Sequence, residues 1–514
     1  MTAGSTANLI READNAGHAS AIQSIAEPGS AAPGSRTNLG ARVFQNAAAN
    51  VAGRVLALLF SVGATMVLAR FLGSERLGQF GAIYAYLALF GWMATFGFEP
   101  VLLREISRER DSASSLLHTA MVLSAFLSIG TVAAAVLIAP KAGYAGHLRA
   151  LVILAGLEYV LNPWRLSAVI FQADMRQWYS ATINVVRQGF WFAVIVALWL
   201  AGASLAYVIA GRVAAAGVET WLLWVYSRRF LSRSGRFLRE RAGLLLSHSF
   251  PIAFTSLLSM IYLRIDQVML HRMVSDSVLG QYVAAVKVSE LFELLPSALM
   301  FSLAPVLSVA VAEPERLRSY TDRAFRYFMV VACGLCVVMT LGARIVVRLM
   351  YGSQFLPAAP LLAVLIWSEI AVFFAAVIIT TLITSNQQHL LPIPTLVGAA
   401  INVALNLVLI PRYAAAGAAW ATVASYSVAW TLTLLCFRQT RSITWQGLRF
   451  AVPLTAIGLA ASACGALLPA SRVAGLLVGF AAFAGGVWLT GCLRKSDLGY
   501  VSGMVRESLA KVSA

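Results

Sequence analysis

Seven bases and seven acids sit inside stretches of this chain that are otherwise apolar. In the first half they are Arg54, Arg165, Arg187 and Arg212 with Glu99, Glu158 and Glu219; in the second, Arg264, Lys287 and Arg344 with Asp266, Glu290, Glu293 and Glu369. An ionisable group at bilayer depth costs several kcal/mol unless it meets a partner or water, so each marks a candidate site. The planar fork of arginine matches phosphate oxygens, which makes Arg54, Arg165, Arg187, Arg212 and Arg264 candidates for binding an anionic substrate. Lys287, Glu290 and Glu293 recur every three residues and form one stripe on a helix, which cannot face lipid. With Asp266 on the preceding span, they are candidates for coupling or gating through a bound proton or Na⁺, or else for a fixed salt-bridge cluster holding the two spans together. Arg212 and Glu219 lie seven residues apart on one helix face, so they could compensate each other structurally instead of serving a ligand. Arg264 and Asp266, two apart, point in different directions, so each is expected to meet another span.

These groups must be held by membrane helices. The 514 residues are 59% hydrophobic and 12% charged, with a mean hydropathy of +0.77, far from the composition of a soluble globular protein. Apolar runs of about 20 residues, long enough to cross the hydrocarbon, number fourteen: 44–68, 80–103, 116–139, 148–171, 181–201, 205–226, 247–270, 283–311, 325–350, 359–384, 390–410, 414–437, 450–468 and 473–493. They are continuous, where the strands of a membrane barrel would alternate in polarity. The expected class is an all-α polytopic membrane protein of about fourteen transmembrane helices.

A net charge of +17 would suit nucleic acid, but its distribution speaks for topology instead, and no nucleic-acid partner is expected. With loops assigned alternately, 24 Lys and Arg fall on the side holding both termini, 8 on the other and 7 within spans. Basic loops resist translocation, so the richer side, with both termini, is expected to be cytoplasmic. Arg228, Arg229, Arg233, Arg236, Arg239 and Arg241 form the densest basic segment, a linker suited to lipid headgroups. Residues 1–38, rich in Ala, Ser and Gly, have no apolar core of signal-peptide length and read as a disordered cytoplasmic tail. The five cysteines lie in or beside spans; Cys333 and Cys336 have redox-motif spacing but a mid-helix apolar context, which fits packing.

Leu77-Gly-Gln-Phe80 returns 202 residues later as Leu279-Gly-Gln-Tyr282, and Arg70 and Phe90 return at the same offset as Arg272 and Phe292. Two related bundles in one chain usually place a substrate site between them. Because each repeat holds an even number of spans, the halves are expected to be related by an axis along the membrane normal. The expected organisation is a tail at 1–38, a six-helix lobe at 39–227, a basic linker at 228–243, a second six-helix lobe at 244–438, and two further helices with a cytoplasmic tail at 439–514. Lys287, Glu290 and Glu293 correspond to Ala85, Ala88 and Gly91, so the second half carries its own chemistry.

Ala69 to Gly81, Phe96-Gly-Phe-Glu99, Leu103-Arg-Glu105, Leu263 to Leu270, Tyr351 to Pro360, Asn402 to Tyr413 and Gly417-Ala-Ala-Trp420 together resemble the polysaccharide transporters of the Wzx type, in the family's order. These belong to the multidrug/oligosaccharidyl-lipid/polysaccharide (MOP) exporter superfamily, and the resemblance spans residues 40–440. It implies two six-helix lobes and, without enzymatic chemistry or any cofactor or metal, movement of an undecaprenyl-pyrophosphate-linked oligosaccharide from the inner to the outer leaflet for exopolysaccharide or O-antigen synthesis. The localisation implied is the bacterial inner membrane. Partners would be the lipid-linked oligosaccharide, membrane lipids, a proton or Na⁺, and a polysaccharide polymerase with its chain-length proteins. Ala414 departs from the pattern, which commonly has Gly there, and a slightly different loop is expected. Trp92, Tyr159, Trp164 and Trp191 are available to stack on sugars, as interfacial anchors otherwise.

Three other readings stay open. A lipid II flippase or a multidrug exporter of the same superfamily would share the plan. A polytopic polymerase, ligase or glycosyltransferase would differ in class, and would usually carry a long outer loop or soluble domain, for which the short loops here leave no obvious place.

Overall fold

The structure, a computed structural model, describes residues 34–174, 176–231, 235–467 and 472–491, with side chains from residue 53 onward except at 301, 302, 305 and 472. The expected tail lies outside the described residues apart from 34–38, which already belong to a helix. Every regular element described is helical, in the order α1 (Gly34–Thr95), α2 (Phe98–Arg108), α3 (Ala113–Ile138), α4 (His147–Val160), α5 (Asn162–Arg165), α6 (Ala168–Ala173), α7 (Trp178–Leu200), α8 (Leu205–Ser227), α9 (Arg239–Met273), α10 (Asp276–Glu290), α11 (Leu294–Ala310), α12 (Pro314–Tyr351), α13 (Ala358–Leu365), α14 (Ser368–Thr384), α15 (Pro392–Trp430), α16 (Leu432–Leu435), α17 (Arg438–Ala466) and α18 (Arg472–Leu489). Nine helical stretches among the described residues are long and apolar enough to cross a membrane. The all-α, polytopic reading holds.

Two of these helices are interrupted by a residue outside helical φ/ψ and so hold two crossings each. At about 1.5 Å per residue, the 62 residues of α1 would far exceed a hydrocarbon core of about 30 Å. Gly73 interrupts α1 with φ 70° and ψ 178°, between the runs expected at 44–68 and 80–103. Ala414, with φ 49° and ψ −133°, interrupts α15 between the runs at 390–410 and 414–437. This is the position where the resemblance led us to expect glycine. A Cβ is strained at positive φ, so alanine holds here at a cost that glycine would avoid.

The repeat meets itself across a pseudo-two-fold contact. A methyl group added to Gly78 would overlap the Asp276 carbonyl, and one added to Gly280 would overlap the Ser74 carbonyl. At the offset of the repeat these are the same contact made twice, so the second half of α1 and helix α10 cross at backbone-to-backbone distance. Small residues permit such an approach in lipid, where close packing and hydrogen bonds replace the hydrophobic effect. Ser74 and Ser277 hydroxyls lie 2.8 Å apart beside it.

The repeated arginines also act reciprocally. Arg70 donates to the carbonyls of Leu349 and Met350, at the end of α12, and Arg272 donates to the carbonyl of Lys141, just past α3. The last carbonyls of a helix have no intrahelical partner, and a cation there also complements the helix dipole. Each half thus caps a helix of the other. Gln79 donates to Asp276 (3.1 Å), Gln281 donates to the Gln354 carbonyl (3.0 Å), and His271 stacks on Tyr144, which completes the seal at this end of the bundle.

Two outcomes follow. Cysteines replacing Ser74 and Ser277 will form a disulfide on mild oxidation in an otherwise thiol-unreactive protein, and adding Gly78→Leu will abolish it, read by gel mobility after cleavage between the halves. Ala414→Gly will raise stability by about 1 kcal/mol, measured by thermal unfolding in detergent, because relief of strain exceeds the entropy lost with glycine.

Candidate functional site

The intramembrane charges gather into one cluster in each half. In the first half, α4, α5, α7 and α8 bring together Glu158, Arg165, Arg187, Arg212 and Glu219. Arg212 Nε donates to Glu158 Oε1 at 3.0 Å, and the same oxygen accepts from Tyr84 at 3.1 Å. The Arg212 guanidinium lies 4.1 Å over the Tyr84 ring and 5.7 Å over that of Phe80. A cation over an aromatic face adds about 0.5–2 kcal/mol, so Arg212 is held firmly.

Of the two readings open for Arg212 and Glu219, mutual compensation is not the one seen, since Arg212 pairs with Glu158. Seven residues span about 10 Å along a helix, while Glu158 on α4 stands directly opposite. Glu219 is taken instead by Arg165 and Arg187, each with a nitrogen 3.5 Å from its Oε2. That contact is loose: Arg187 Nε and Glu219 Oε2 are buried, yet have no hydrogen-bond partner among the described residues. The Arg165 and Arg212 side chains are 46% and 41% exposed. Three bases against two acids leave the cluster cationic, with two of the bases free to change partner.

In the second half, Glu290 is fully engaged. Arg264 Nη1 donates to its Oε1 at 2.6 Å and Lys287 Nζ to its Oε2 at 2.7 Å. Arg264 thus meets another span as expected, and the arrangement is a fixed ion-pair cluster tying α9 to α10. The expected stripe of Lys287, Glu290 and Glu293 is broken. Helix α10 ends at Glu290, and Glu293 stands at the start of α11, forming no ion pair among those described. Pro296 explains the break, because it offers no N–H and its ring would clash with the carbonyl four residues earlier.

Asp266 does not join the other acids. It is buried, accepting from the Tyr282 hydroxyl through Oδ2 and from the Gln267 backbone N–H through Oδ1 at 2.7 Å. Behind Tyr282 runs a polar core in which Asn402 donates to Ser425 (3.0 Å) and Asn406 to Asn402 (2.8 Å). The i,i+4 pair of asparagines in an apolar run was the sequence signal for that core. Arg54 is exposed and forms no ion pair among the described residues. Of the aromatic candidates, Trp191 is buried in the core and Tyr159 donates to the Leu87 carbonyl, whereas Trp164, beside Arg165, is 39% exposed.

A family model described as "Polysaccharide biosynthesis protein" matches residues 67–360, more than half of the chain and the whole region of the repeat. The chain belongs to that family. It is 24% identical over 368 residues to the "Probable low-salt glycan biosynthesis flippase Agl15" of Haloferax volcanii, covering 70% of this chain and 76% of the relative. Among solved structures, it resembles the lipid II flippase MurJ in an inward closed conformation, with a TM-score of 0.68 at 14% identity, over 87% of this chain and 98% of MurJ. An inward-facing multidrug MATE transporter of the MOP superfamily matches with a TM-score of 0.60 at 14% identity, over 77% of this chain and 95% of the transporter. This member of the polysaccharide biosynthesis family is therefore a polytopic membrane protein with the fold seen in the MurJ flippase and the MATE transporter.

The ion-pair geometry has a measurable consequence. Glu290→Ala strands both Arg264 and Lys287 and will cost about 1–3 kcal/mol of stability, while Lys287→Ala will cost about 1 or less because Arg264 still compensates the carboxylate. A double-mutant cycle between Arg264 and Glu290, read by thermal unfolding, will return a coupling energy well above zero.

Proposed function

We propose that this protein flips an oligosaccharide linked to undecaprenyl pyrophosphate from the inner to the outer leaflet of a bacterial inner membrane, with both termini cytoplasmic, for exopolysaccharide or O-antigen synthesis. Family membership and the flippase named among its relatives support the reaction class. The observation that carries the substrate class is the cationic cluster of Arg165, Arg187 and Arg212, held by only two carboxylates. A pyrophosphate presents several oxygens in two tetrahedra, which suits two forks that release a shared carboxylate and turn to the ligand.

In this reading the basic-rich side opens first, and the end sealed by Gly78 and Gly280 faces outward and stays shut. The pyrophosphate enters the first-half cluster, with Trp164 at its edge for a sugar ring. The prenyl chain remains in lipid, where its burial costs nothing, and only the head group crosses the interior. Arg212, fixed by Glu158 and Tyr84, positions the site, while Arg165 and Arg187 follow the ligand. Arg264 holds α9 to α10 so that the second half moves as a body. Arg54, exposed on α1, is placed to meet the head group at entry. No bond is made or broken, so neither nucleophile nor metal is required; the work is that of binding two states of the protein differently.

Reconstitution gives the test. Proteoliposomes holding the wild-type protein will move a fluorescent undecaprenyl-pyrophosphate oligosaccharide to the opposite leaflet, read by accessibility to an impermeant quencher. Replacing Arg165 and Arg187 together by Ala will slow this by at least about tenfold, equivalent to about 1.4 kcal/mol. Lysine at both positions will restore part of the rate, since a point charge lacks the bidentate fork. Wild-type rates in the double Ala variant would remove the cluster from the mechanism.

A further inference from the structure

Once Glu290 and Asp266 are accounted for, one carboxyl in the second half has no compensation. Glu369, in the first turn of α14, is 1% exposed. Its Oε1 accepts from the Ser289 hydroxyl of α10 at 3.1 Å, and its Oε2 is buried without a hydrogen-bond partner among the described residues. It forms no ion pair among those described, and the two neighbouring bases, Arg264 and Lys287, are spent on Glu290. The groups that act on it are Glu293 at the start of α11, Glu290 and Ser289 of α10, and the Cys336 thiol of α12. A cavity of about 430 Å³ lies alongside, lined by Glu293, Ser297, Thr380, Tyr426 and Trp430 among others, and Ser297 at its edge is exposed.

We propose that Glu369 is a proton-binding site: in the arrangement seen here its buried carboxyl holds a proton received from the cavity by way of Glu293, and release of that proton opens the end sealed by Gly78 and Gly280. An isolated ionised carboxylate in such surroundings carries a large desolvation cost, whereas the acid form carries little. The step binds one proton and changes the local charge by one, with no other chemistry. Helix α10 carries the effect. Its first turns contain the Gly280 crossing, and its last turn carries Ser289 and Glu290 against Glu369, so repulsion set up at one end of a rigid helix of 15 residues acts on the seal at the other. The sign follows: the proton stabilises the sealed arrangement, which acid therefore favours and alkali depopulates. This rests on the transporter assignment above, but its test needs no substrate.

Spin labels on cysteines replacing Tyr207 and Tyr413, exposed residues at the sealed end, report the separation of the halves. Cys436, Cys464 and Cys492 are changed to Ser for this purpose. Pulsed electron resonance in lipid nanodiscs will give one short distance at acid pH and a growing longer population as pH rises. Glu369→Gln, which mimics the protonated acid, will keep the short distance at every pH. Glu293→Gln, which removes a like charge, will keep the transition but move it to more acid pH. A wild-type distance that ignores pH, or a Glu369→Gln protein that retains the wild-type transition, would overturn the proposal. Should Glu369→Gln fail to fold, an unmoved transition in Glu293→Gln would do so.

Discussion

A charge inside hydrocarbon must find an opposite charge or water, and that single requirement governs how this bundle is assembled. Helices whose ionisable group is paired turn it toward a neighbour, whereas Arg54 stays exposed without an ion pair among the described residues. The pairs Arg212 with Glu158, Arg165 and Arg187 with Glu219, and Arg264 with Glu290 all join different helices. The charges therefore determine rotation about each helix axis, which apolar side chains against lipid leave poorly specified.

The two clusters serve different ends because their compensation differs. Glu290 has both oxygens occupied at short distance and holds α9 and α10 together. Glu219 has one oxygen shared by two arginines at 3.5 Å, without hydrogen-bond geometry, and can give them up to a competing anion. Rigidity in one half and exchange in the other suit a transporter whose halves must move as bodies around a ligand. The glycine crossing adds the complementary property. Its closest contacts are backbone on backbone, so the seal comes from close packing together with the hydrogen bonds that Arg70 and Arg272 make to carbonyls of the opposite half, which opening would have to release.

Much of this was legible in the sequence, and the remainder failed for identifiable reasons. Apolar runs and the 202-residue repeat indicated a helical membrane protein with corresponding halves, because hydropathy and self-similarity are local or linear properties. The intramembrane charges were all visible, but partner choice was not. Arg212 and Glu219 share a helix face, yet two turns separate them, and nothing in one sequence states that α4 lies opposite. The stripe through Glu293 ignored Pro296, which ends α10 before the period can continue. Glu369 was visible as a charge and silent as a site, since its distinction lies in what does not surround it. The resemblance led us to expect glycine at Ala414, and its positive φ is a backbone conformation that favours glycine.

The central claim is that the first-half arginines recognise a pyrophosphate on a lipid. Native mass spectrometry of the purified protein, with undecaprenyl pyrophosphate, undecaprenyl phosphate and undecaprenol in equal amounts, tests it without transport, membrane orientation or knowledge of the glycan. The account predicts retention of the pyrophosphate lipid above the other two, and loss of that preference when Arg165, Arg187 and Arg212 are replaced together by Gln. Equal retention of all three lipids by the wild-type protein would contradict it.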